Sequence, residues 1–87
     1  MLEGVITIKT KLGIHARPAS VLVKEAAKFN SDIFIIKDGN KFNAKSIMNL
    51  IGMAAKHGDE ISIRVSGTDE EAAFEAITAI IKDGLGE

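Results

Sequence analysis

Residues 60–83 read EISIRVSGTDEEAAFEAITAIIKD, and the change of period inside this stretch decides the fold. From Glu60 to Ser66 apolar and polar residues alternate, with Ile61, Ile63 and Val65 on one face and Ser62 and Arg64 on the other. That is the pattern of a strand buried on one side only. Gly67 ends the alternation, and Thr68-Asp69-Glu70-Glu71 reads as a capping box, Thr68 at the N-cap and a glutamate three residues on. The spacing then becomes helical: Ala73, Phe74, Ile77, Ile80 and Ile81 share one broad face as far as Gly84. A half-buried strand running into an amphipathic helix calls for two layers, a sheet covered by helices on one side.

The rest of the chain repeats this grammar. Leu2 to Lys9 places Leu2, Ile6 and Ile8 on one face of a period-2 pattern. Ala16 to Phe29 changes to a helix, with Ala19, Leu22, Val23 and Ala26 inside and Lys24, Glu25 and Lys28 outside, stopped by Asn30-Ser31-Asp32. Ile33 to Lys37 is an apolar run of strand length. Asp38-Gly39 follows as a hairpin signal, and Lys41 to Asn43 returns as a short strand. Ser46 to Ala55 reads as a short helix, closed near Lys56-His57 by Gly58 as a left-handed cap. The order β-α-β-β-α-β-α is a split βαβ arrangement of the α+β class, one domain over residues 1–87 with an antiparallel sheet.

Composition narrows the function classes. With 87 residues, 46% apolar and no cysteine, the chain has one thin core, no disulfide scaffold and no thiolate metal site. Eleven basic against twelve acidic residues leave a net charge of −1, so neither nucleic acid nor an anionic membrane is an expected partner. No apolar run approaches the ~20 residues of a membrane span, and Met1-Leu2-Glu3-Gly4 is not a basic leader. A soluble, intracellular domain is expected. All the aromatic residues are Phe, and the strands carry too few of them to stack bases as an RNA-binding sheet does.

The segment Gly13-Ile14-His15-Ala16-Arg17-Pro18 joins the first strand to the first helix. Pro18 falls in the helix's first turn, where a missing N–H removes no intrahelical bond. His15 then stands at or near the N-cap, where Ser, Thr, Asp or Asn is usual. One reading is an ordinary surface histidine that happens to precede a helix. The other is chemical: a helix start offers backbone N–H groups and the positive end of the dipole to an anion, Arg17 matches phosphate oxygens, and a neutral imidazole is a nucleophile toward phosphorus. Ala16, Arg17 and Pro18 would form the helix-start phosphate site. There is no Walker loop and no carboxylate close by to hold magnesium, so no metal and no cofactor is expected. Such a histidine would be charged by other proteins.

The string GIHARPAS after a first strand, NAKSIM mid-chain and a length near ninety resemble HPr, the histidine-containing phosphocarrier family of the bacterial sugar phosphotransferase system. The resemblance spans the whole chain. It implies an open-faced β-sandwich, a four-stranded antiparallel sheet with three helices on one face. It implies that His15 accepts a phosphoryl group on Nδ1 from phosphoenolpyruvate-charged enzyme I and passes it to IIA units of sugar permeases. Arg17 is implied as the phosphate contact. The protein would be a cytoplasmic monomer, a substrate of phosphotransferases and of a kinase rather than an enzyme. A relative without the histidine acts in regulation only, and this chain has His15. Where relatives carry a small polar residue before the glycine, this chain has Leu12, which has no group to hydrogen-bond the imidazole.

The second helix holds more apolar residues than one face uses: Leu50, Met53 and Ala54 make one stripe, and Ile47, Met48 and Ile51 another. Periodicity alone leaves open which stripe is exposed. The resemblance assigns Ile47, Met48 and Ile51 to partner docking. Ser46 is by itself an ordinary N-cap. The resemblance adds a regulatory phosphorylation there by HPr kinase/phosphorylase, linked to carbon catabolite repression through a catabolite-control transcription regulator. The alternative function is a purely regulatory protein acting through Ser46 and the Ile47/Met48/Ile51 patch. His57 is read as a plain residue at a helix end.

Overall fold

A computed structural model describes residues 1–86. The elements run β1 (Leu2–Thr7), α1 (Ala16–Ala26), β2 (Asp32–Lys37), β3 (Asn40–Asn43), α2 (Ile47–Gly52), β4 (Glu60–Ser66) and α3 (Glu70–Lys82). The strands form one antiparallel sheet in the order β1-β4-β2-β3. β1 and β2 are both antiparallel to β4, so they run the same way with the last strand between them. This is the expected split βαβ unit, and the fold is the open-faced α+β sandwich.

The alternation in β4 sets the two layers. Ile61, Ile63 and Val65 are buried, and they pair with Ile6, Gly4 and Leu2 of β1. On the other side Ile63 and Val65 pair with Ile35 and Ile33 of β2, also buried. Helix faces close over this surface through Ala19, Leu22 and Ala26 of α1, Leu50 of α2, and Ala73, Ile77 and Ile81 of α3. At Gly4 the absent side chain lets Phe74 of α3 approach, since a Cβ would stand 2.8 Å from Phe74 Cζ. The opposite sheet face is open and carries an Arg64–Glu3 ion pair at 3.3 Å and Lys41 Nζ 4.2 Å from the Phe34 ring centre. Asp38 and Gly39 both take positive φ, as the β2–β3 hairpin requires.

Several expected boundaries move. α1 stops at Ala26 and leaves Phe29 outside the helix. Thr68 is not the N-cap of α3. Asp69 holds that position, and its carboxylate is turned away to the α1–β2 connection, where it accepts the amides of Asn30 and Ser31 and the Ser31 hydroxyl. The reciprocal bond of the expected box is replaced by Glu70 Oε1 accepting from the Gly67 amide at 3.1 Å. α2 ends at Gly52 rather than near Ala55. Met53 is its C-cap, and Ala54 adopts φ +53° at the position where glycine is usual. Gly58 belongs instead to the turn entering β4, and His57 is exposed in that connection, away from a helix end. Ala54 is exposed and leaves its expected stripe, while Leu50 and Met53 stay in the core.

Candidate functional site

His15 is the N-cap of α1, with extended backbone (φ −104°, ψ −167°) and a carbonyl that accepts the Ala19 amide at 2.9 Å. Its side chain does not cap the helix, and no acidic residue stands in the first turn. The amides of Ala16 and Arg17 lie where an anion is favoured, and Pro18, third in the helix, lacks an N–H at a position with no intrahelical acceptor. Ala16 and Arg17 are exposed and Pro18 is buried, so the helix start is anchored by its proline and open at its first two residues. The histidine is half-buried, with Nε2 enclosed by the protein.

The loop before the histidine is held by a part of the chain that the sequence did not mark. The Ile14 amide donates to the Ala55 carbonyl at 2.9 Å, and Thr10 Oγ1 donates to the Gly13 carbonyl at 2.8 Å. Ile8 is bonded in both directions to the same connection, through Asp59 O and the Gly58 amide, each at 2.8 Å. Gly13 has φ +71°, and any Cβ there would overlap the Ala55 carbonyl. The glycine was a usable signal of a close approach. Its partner was not legible, because Ala55 looks like the end of a helix. Leu12 is 78% exposed and turned away from the core.

Ser46 is the N-cap of α2, its Oγ accepting from the Asn49 amide at 3.2 Å. Asn49 Oδ1 in turn accepts the Asn43 amide, which ties the cap to β3. Of the two apolar stripes, the one containing Leu50 (0% exposed) faces the core, and Ile47, Met48 (77% exposed) and Ile51 face out. The structure therefore places an open apolar patch on α2, and links the end of that helix to the histidine loop through Ala55. Among the described residues no group of three or more His, Cys, Asp or Glu could hold a metal ion.

A histidine presented at the open start of the first helix of such a sandwich is the arrangement of a small phosphoryl-carrier domain. The family model described as "PTS HPr component phosphorylation site" matches residues 2–83, and the chain belongs to the HPr family of phosphocarriers. It is 51% identical to the phosphocarrier protein HPr of Mycoplasma capricolum, over 87% of this chain and 85% of that protein. It is 48% identical to the HPr-like protein Crh of Halalkalibacterium halodurans, over 94% and 98% of the two chains. The crystal structure of HPr-C-His from Thermoanaerobacter tengcongensis superimposes with a TM-score of 0.95 at 42% identity, covering 100% of this chain and 98% of that one.

Proposed function

We propose that this protein carries a phosphoryl group on His15, taking it from phosphoenolpyruvate-charged enzyme I and delivering it to IIA units of sugar permeases. The observation that carries the reading is the histidine at the open start of α1, beside the exposed Arg17. With Nε2 enclosed, Nδ1 is the ring nitrogen that meets the donor. Its lone pair attacks phosphorus, and the bond from phosphorus to the donor breaks with its electrons returning to the donor. The amides of Ala16 and Arg17 and the Arg17 guanidinium hold the transferred oxygens. Transfer onward is the same displacement with the acceptor as nucleophile.

Ile47, Met48 and Ile51 serve as the common docking patch, and Ser46, at its head, is the target of HPr kinase/phosphorylase. A phosphoserine there would add about −1.5 to −2 charges beside an apolar surface and so disfavour enzyme I docking. A catabolite-control transcription regulator would read the same modified face. The protein would act as a cytoplasmic monomer. No helix among the described residues is long and apolar enough to cross a membrane, and a net charge of −1 favours neither membrane nor nucleic acid.

The second reading, regulation alone, is favoured by the likeness to two HPr-like Crh proteins, at 48% and 41% identity. His15 with its open helix start weighs against it. Incubation with phosphoenolpyruvate and enzyme I, followed by mapping of acid-labile phosphate, separates the two. Label on His15 supports the carrier, and its absence from a folded protein supports the regulator.

A further inference from the structure

We propose that Thr10 is a positioning residue for His15. The proposal rests on the carrier reading for its consequence in transfer, and on the loop geometry for its substance. The Gly13–Ile14 peptide is held at both polar ends. Its carbonyl accepts from Thr10 Oγ1 at 2.8 Å, and its N–H donates to the Ala55 carbonyl at 2.9 Å. Two hydrogen bonds on opposite sides of one planar group stop it from rotating. The Gly13 amide also donates to the Thr10 carbonyl at 3.1 Å, so Thr10 closes a small ring through both backbone and side chain. Thr10 is 1% exposed and Ile14 4%, so water has little access to compete for these groups.

The chain leaves this clamped peptide through Ile14 and enters His15 in extended geometry before the helix begins. Rotation of the peptide would swing the imidazole relative to the first-turn amides. The backbone beneath His15 thus contributes to its placement, and the Thr10 hydroxyl is a side-chain group that secures that backbone. Gly13 is its necessary companion, because a Cβ would push the peptide off Ala55.

The test compares Thr10→Val, which keeps the shape and loses the hydroxyl, with Thr10→Ser, which keeps the hydroxyl. Thr10→Ala serves as a second hydroxyl deletion should Val not fold. Two sets of readouts are taken. The first needs no phosphoryl donor: hydrogen exchange of the Ile14 amide and the ring nitrogen resonances of His15. The second is phosphorylation by phosphorylated enzyme I and by phosphoramidate, which reaches His15 without docking and releases ammonia. The hydroxyl deletions are expected to speed Ile14 exchange and shift the His15 resonances. They are expected to slow transfer from both donors by roughly tenfold to a hundredfold, with KM for enzyme I unchanged. Thr10→Ser is expected to behave as wild type in every readout. Wild-type exchange and ring resonances in the hydroxyl deletions, or a transfer defect that Ser shares, would overturn the proposal. If the wild-type protein takes phosphate from neither donor, the carrier reading fails, and exchange and ring resonances still decide the role of Thr10.

Discussion

The carboxylate of Asp69 accepts both the backbone amide of Ser31, at 2.9 Å, and its hydroxyl, and so joins the turn before α3 to the turn after α1. Its second oxygen takes the Asn30 amide at 2.8 Å. Gly67 makes the junction possible, since a Cβ there would stand 2.6 Å from Ser31 Cα. These bonds are made to the ionised carboxylate and hold its pKa below the usual value, the Ser31 hydroxyl contributing most.

Asp69→Ala is accordingly expected to lower the melting temperature by several degrees without changing the fold. The sign of the pH effect follows from the lowered pKa. The contribution is complete above the unfolded pKa, near 4, and is lost as pH falls through the lower folded value. Thermal melts between pH 7 and pH 2 should therefore converge for wild type and variant at the acid end. A constant difference across the range would show that the carboxylate's charge is not what matters.

His15→Ala should abolish acid-labile phosphorylation while the melting curve stays close to wild type, because the imidazole makes no cap to α1. Arg17→Ala should slow transfer and leave it measurable, since the helix amides remain. Phosphate found on Nε2 rather than Nδ1 would contradict the enclosure of that nitrogen.

On α2 the two stripes should separate cleanly. Met48→Asp is expected to weaken enzyme I binding and to change stability by no more than ~0.5 kcal/mol, as exposed positions usually do. Leu50→Ala, at a fully buried site, should cost about 2–5 kcal/mol. Denaturant titrations of both variants, with binding measured in parallel, check the assignment.

Ser46→Ala removes the acceptor of the Asn49 amide and should destabilise by about 0.5–2 kcal/mol. Ser46→Asp retains a capping carboxylate and adds charge at the head of the patch. Its expected signature is near-wild-type stability with reduced phosphorylation of His15 by enzyme I. A tenfold loss of docking needs only ~1.4 kcal/mol. Equal rates for Asp and wild type would leave Ser46 as a helix cap alone.

By itself the sequence determined every element that rests on a local rule. The alternation of Glu60–Ser66 and the faces of α1 and α3 are periodicities that neighbouring residues impose on one another, and Asp38-Gly39 meets the positive φ of its turn within two residues. His15 was legible at its N-cap for the same reason: Pro18 and the helical spacing after it mark the helix start. Tertiary structure decided what local rules leave equal. Only packing on the sheet chose Leu50 over Met48 for the core, because both stripes are apolar. Only the docking of the histidine loop accompanies the early stop of α2 and the left-handed Ala54, a residue whose own propensity favours continuing the helix. Asp69 left the expected capping box because Asn30 and Ser31, 39 and 38 residues away, offered it donors that Thr68 and Glu71 could not reveal. Contacts between residues far apart in sequence decide where near-equal local choices fall, since each local preference amounts to about a kcal/mol and a cooperative set of buried hydrogen bonds exceeds it.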